Sequence, residues 1–199
     1  MNVNTPAQPY SGTMDVDEFM AFLETRPDNE HWDLIEGVAV MMAPPTVVHQ
    51  RIAHNLCNLL HAAFAARRLD LFAYTGLGVR TPGVHNFQPQ PDVVVLPGAA
   101  EYDLYSERFQ LATEVLSPSN TRTEIDLKVR NYREAPDNLY VVVIDSREFL
   151  VEIYARSHDW QPKVLKQSDD VIDMAEFGLR CCVVDLYRGT PLDPQRSRS

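Results

Sequence analysis

Cysteine is scarce in this chain of 199 residues, with only three. Cys57 and the adjacent Cys181 and Cys182 make neither an even disulfide framework nor a CxxC pair. Cys57 lies inside a helical pattern and His49, His54, His61 and His85 do not stand at zinc-finger spacing, so core or surface roles are expected for them rather than a zinc site. Positive charge is also short, at 18 Lys plus Arg against 28 Asp plus Glu, a formal net charge of -10. That balance gives no general attraction to a polyanion or to anionic lipid, so any nucleic-acid contact has to come from a local basic surface. No apolar run approaches the length of a membrane span, and the N-terminus has no basic segment followed by an apolar one. A cytoplasmic protein without membrane contact is expected. Glycine and proline are modest at 8 and 14, which argues against a fibrous or low-complexity chain.

What is present is 45% hydrophobic residues, enough for one domain with a full core. The expected organisation is a single domain over residues 1–189 and a flexible tail over 190–199, with Met1 to Ser11 the other segment least suited to regular structure. Apolar spacing predicts a short amphipathic helix from Asp15 to Glu24. A hairpin broken at Glu36-Gly37 and a long helix from Val47 to Arg68 follow. Strands are expected over Leu71–Arg80, Pro91–Leu96 and Phe109–Leu116, then a helix over Thr121–Glu134 with Ile125, Val129 and Tyr132 inward. Leu139 to Ile144 is uniformly apolar and predicts a central strand covered on both faces. Further strands are expected at Leu150–Ala155, Trp160–Leu165, Asp170–Ile172 and Cys181–Leu186. This order fits an α/β fold with a mixed sheet flanked by helices.

Three charged residues stand out. Asp92 opens a β-branched run, where its carboxylate is accessible to solvent or a metal. Glu114 lies inside the apolar strand LATEVL, where a charge is costly unless a cation, an ion pair or a wet sheet edge compensates it. Helical geometry places Lys128 beside the inward stripe of Thr121–Glu134, able to curl toward the sheet end that carries Glu114; a surface pair with Glu124 is the bland alternative. Asp33 or Glu36 offers a further acid, and His49 stands either at the rim of the same cleft or in a capping or packing role. Carboxylates holding Mg2+ or Mn2+ beside a lysine suit phosphodiester hydrolysis, though charge spacing alone does not exclude another metal-assisted hydrolysis. Basic residues cluster at Arg67-Arg68 and along Arg122, Lys128, Arg130 and Arg133, which is either an ordinary solvated surface or, at Arg67, Arg68, Arg122 and Arg130, the border of a groove for a polymeric substrate.

The segments HWDLIEGVAVMMAPPTVVHQRIAHNL, QPDVVVLP, ATEVLSPSNTRTEIDLKVRNYREAP and LYVVVIDSREFLVEIY resemble the Uma2-like restriction-endonuclease family of the PD-(D/E)XK nuclease superfamily. The resemblance covers roughly Val16 to Leu165. It implies a restriction-endonuclease-like core, Mg2+ held by Asp92 and Glu114, a lysine supplied by the helix at Lys128, and matches at Tyr132 and His49. DNA is the implied substrate, and a homodimer would suit duplex cleavage. WDLIEG stands where family members usually read YELIDG, so Asp33 occupies the place of a glutamate and Glu36 that of an aspartate. Two alternatives remain open: a non-catalytic nucleic-acid-binding or assembly protein that keeps the fold, and a metal-dependent hydrolase of a small phosphoester.

Overall fold

The computed structural model describes residues 13–98, 104–118 and 120–196. Met1 to Ser11 lies outside the described residues. Helix α1 (Val16–Leu23) is closed by a reciprocal capping box between Asp15 and Glu18 and buries Val16 and Phe19. It packs on the hairpin of β1 (Trp32–Ile35) and β2 (Val38–Met41) through a small core of Met14, Val16, Phe19, Leu34 and Ala39. The two-residue turn between them has positive φ at both Glu36 and Gly37, which matches the right-handed twist of paired strands.

Helix α2 (Val47–Arg67) starts at Thr46, whose hydroxyl accepts the His49 N–H, and ends with Arg68 in the left-handed region. Strands β3 (Leu71–Tyr74) and β4 (Gly78–Val79) follow, then β5 (Val93–Pro97), β6 (Tyr105–Ser106) and β7 (Leu111–Leu116). Helix α3 (Arg122–Glu134) leads to β8 (Tyr140–Asp145), β9 (Val151–Ala155) and β10 (Pro162–Leu165). The last elements are β11 (Val171–Met174), β12 (Leu179–Cys182) and α4 (Val183–Leu186).

Six strands make one mixed sheet in the order β10-β9-β8-β7-β5-β3, parallel only between β7 and β8. Alternation along β8 explains its apolar run. Tyr140, Val142 and Ile144 join the core under α2 and α4, while Val141 and Val143 join the core under α3. The chain is therefore an α/β fold with a mixed sheet flanked by helices, as its element order predicts.

Two expectations are corrected. The single strand over Leu71–Arg80 is split at Gly76, which has φ +71, and Gly78–Val79 leaves the main sheet to pair with Tyr105–Ser106. The run Cys181–Leu186 is not a strand throughout. After Cys182 the chain turns into α4, where the Asp185 carboxylate accepts the Cys182 N–H. Of the proposed tail, Thr190 is buried with its hydroxyl donating to the Tyr187 carbonyl.

Candidate active site

Lys128 falls in the inward stripe of α3, three residues after Ile125 and four before Tyr132, and is 1% exposed. Its ammonium lies 2.8 Å from Asp33 Oδ2, an ion contact outside hydrogen-bond alignment, and 3.2 Å from Glu114 Oε2. Glu114 projects from β7 on the α3 side, and its other oxygen accepts the Tyr132 hydroxyl at 2.6 Å. Two helix residues thus fix both oxygens of one buried carboxylate. Glu124, the alternative partner of Lys128, instead gives its backbone N–H to the Thr121 cap.

Asp92 immediately precedes β5. Its N–H donates to the Thr113 carbonyl at 2.9 Å, and its Oδ2 accepts the Val115 N–H at 2.6 Å, so its contacts flank Glu114 on β7. The same Oδ2 stands 3.1 Å from His49 Nε2, which arrives from the first turn of α2. His49 is buried and its Nδ1 has no hydrogen-bond partner. Asp33 comes from the separate β1–β2 hairpin, with Oδ1 accepting the Gln90 N–H at 2.9 Å. Asp33, Lys128, Glu114 and Tyr132 form one directly bonded group, and His49 and Asp92 form a second pair tied to the same stretch of β7 through the Val115 N–H and the Thr113 carbonyl. Glu36 is not among them: it sits in the exposed turn and pairs with Arg130 at 2.9 Å.

Electrostatics follow from that crowding. Burial pushes the Glu114 carboxyl up; the Lys128 ammonium and the Tyr132 hydroxyl oppose the shift, Asp92 and Asp33 add to it, and the result is about 7. Lys128 is also raised: burial works against its charge, but Glu114 and Asp33 outweigh it, so it stays an ammonium. For His49, burial likewise opposes the charged form and the Asp92 contact prevails, raising its pKa. Tyr132 is held well above its ordinary value by burial and then by Glu114, which keeps it a hydroxyl donor. Both members of the Lys128–Glu114 pair shift upward, Glu114 chiefly because it is buried and Lys128 because two carboxylates, Glu114 and Asp33, face its ammonium.

That excess of negative charge is the observation relevant to a metal. Among the described residues no three His, Cys, Asp or Glu side chains are gathered at ligand positions. Asp92 and Glu114 carry hard carboxylate oxygens, the ligand type taken by a small cation that keeps most of its waters. Asp33, like Glu114, has both oxygens facing protein donors, but it comes from the separate β1–β2 hairpin and lies nearer to the Lys128 ammonium.

The basic border expected from the sequence does not assemble here. Arg67 is 18 residues along α2 from His49, about 27 Å at a rise of 1.5 Å per residue. Arg122 is tied to Asp126 and Glu152, both at 2.8 Å, and Arg130 to Glu36. Sequence reasoning missed the main-chain donors of Gln90 and Val115. No side-chain pattern signals them, since any residue carries that N–H.

A family model for Uma2, described as "Putative restriction endonuclease", matches residues 16–183. Among solved structures, the crystal structure of a "putative nuclease" from Anabaena variabilis is similar at 17% sequence identity and a TM-score of 0.68. The match covers 83% of this chain and 94% of that one. At that identity the likeness speaks for the fold alone. No curated protein matches the chain.

Proposed function

The chain belongs to the Uma2 family of restriction-endonuclease-like proteins, and on that footing we propose that it is a divalent-metal-dependent phosphodiester hydrolase acting on DNA. The observation that carries this reading is the buried Lys128 ammonium in contact with Glu114, with Asp92 held against the same stretch of β7. Asp92 and Glu114 would hold Mg2+ or Mn2+. Such a cation lowers the pKa of a bound water and neutralises charge on a phosphoryl oxygen.

The chain's own groups supply the rest. Lys128 stays charged and presents a fixed positive centre where negative charge develops on the phosphate. Tyr132 and Lys128 lock the orientation of Glu114, so little reorganisation is needed during reaction. His49 and the Val115 N–H do the same for Asp92. Among the described residues no helix is long and apolar enough to cross a membrane.

DNA incubated with Mg2+ or Mn2+ should be cleaved by the wild type and not by folded Asp92→Asn or Glu114→Gln. Cleavage that survives both substitutions would assign the activity to another protein. The ion-paired state of Arg122 and Arg130 favours a second reading, a hydrolase of small phosphoesters. Turnover of a bis(p-nitrophenyl) phosphate substrate together with inert DNA would select it. A purely binding role would go with an arginine partner for Glu114, whereas its partners are Tyr132 and a lysine that also contacts Asp33.

A further inference from the structure

Asp33 enters this constellation from outside the main sheet. The unit of α1, β1 and β2 has its own small core, and β1 joins the remainder through a two-way backbone bridge between Leu34 and Gln88, at 3.1 and 2.9 Å. Two residues further on, the Gln90 N–H holds Asp33 Oδ1 at 2.9 Å. Asp33 and Lys128 are both 1% exposed, and the ammonium stands nearer to Asp33, at 2.8 Å, than to Glu114, at 3.2 Å.

The Asp33 carboxylate is bound from two sides, as Glu114 is, but lies nearer to the ammonium. One oxygen is fixed by main chain and the other faces an ammonium. Its effect falls on Lys128. With Asp33 present, the ammonium is shared between two anions. With Asp33 uncharged, Glu114 is the remaining carboxylate in contact with it. The ammonium would then settle on Glu114 and compete with any cation there.

We infer that Asp33 is a positioning residue, which holds the Lys128 ammonium partly away from Glu114 and so keeps Asp92 and Glu114 available as the cation-binding pair. The inference rests on the nuclease reading above. It assigns the α1–β1–β2 unit a part in the site, reached through one side chain.

Asp33→Asn keeps the shape and the acceptor for the Gln90 N–H but removes the charge. Its kcat on DNA should fall about ten- to hundredfold, the usual range for a group supporting the groups that touch a metal. KM should move by no more than about threefold. Mn2+ affinity, read by electron paramagnetic resonance, should weaken, but by less than in Asp92→Asn. In a Lys128→Met background the same Asp33→Asn change should add less than about twofold to either quantity. Full additivity of the two substitutions, or a Mn2+ loss equal to that of Asp92→Asn, overturns the assignment.

A measurement on the wild type keeps the test independent of variant folding. Lys163 and Lys166 are exposed, so a slowly exchanging ammonium resonance in a 15N-lysine spectrum belongs to Lys128. That resonance should persist with a small shift when Mg2+ is added. Its disappearance would mean that the cation takes Asp33 from the ammonium, and would sink the inference. A wild type that neither binds Mn2+ nor cleaves overturns the parent reading and this one together. Binding and cleavage with additive substitutions overturn this one alone.

Discussion

Replacing Lys128 by Met tests the electrostatics of the site without reference to catalysis. Methionine fills much of the same volume in the inward stripe of α3, so the change is chiefly the loss of one buried charge. What remains is Asp33, Glu114 and Asp92 with no ammonium among them. Removing one member of a buried ion pair costs about 3–5 kcal/mol, because the partner is left charged and poorly solvated. That is a large part of the stability of an ordinary domain, about 5–15 kcal/mol. The variant should therefore fold with a much lower urea midpoint.

The cost should also depend on pH, and the direction follows from Glu114. Its folded value is already raised to about 7 from 4.5, so the folded state holds a proton that the unfolded state releases earlier. Stability contributed by that proton is present below the unfolded value and is lost as pH rises toward the folded one. Without Lys128 the folded value climbs further, and the loss continues to higher pH, at up to about 1.4 kcal/mol per pH unit. Urea denaturation of both proteins at about pH 5 and about pH 8 reads this directly. The destabilisation by Lys128→Met should be smaller at the lower pH, where Glu114 can stay protonated. A penalty below about 1 kcal/mol at the higher pH, or one equal at both, would refute the claim that this ammonium compensates buried carboxylates.

Most of the fold is legible in the sequence because its cause is apolar periodicity. The long stripe of α2, the two-faced run of β8 and the break at Glu36-Gly37 are each decided by residues within a few positions of one another. Glu114 and Lys128 were visible for the same reason, as charges set where the pattern demands apolar side chains. The choice between Asp33 and Glu36 was not. Both are acids of one hairpin, and what separates them is the docking of that hairpin on Gln88 and Gln90, with Gln90 57 residues beyond Asp33. Strand and helix were confused at Val183–Leu186, since a short apolar run carries no period and its helix depends on the local cap from Asp185. The arginines mislead in a different way. Their clustering suggests a border, yet the length of α2 alone separates Arg67 from His49.

Tyr132→Phe removes a buried hydrogen bond to Glu114 and should cost about 1.5–3 kcal/mol in urea denaturation; a change below about 0.5 kcal/mol would show that the 2.6 Å contact contributes little. Leu60→Ala, at a fully buried position of α2, should cost about 2–5 kcal/mol, and a smaller loss would mean that the core under α2 closes over the cavity. For Glu152, burial raises the pKa, but the bonds from Arg122 and Tyr154 outweigh it and the net shift is downward. Its stabilisation is therefore present above the ordinary carboxyl value and lost as pH falls through the lower folded value, so Glu152→Gln should show a shallower acid loss than wild type below about pH 4.5. Equal acid profiles would detach that carboxylate from stability. Salt dependence tests the surface as a whole. Each phosphate neutralised by a free cation adds about 0.9 to the slope of log affinity against log salt. Arg122 and Arg130 already face carboxylates, and Arg67 stands at the far end of α2, so these three add few phosphate contacts near Asp92. DNA binding should show a slope of about 2 or less, whereas about 6 would require those ion pairs to open on binding and the acidic exterior to conceal a basic track.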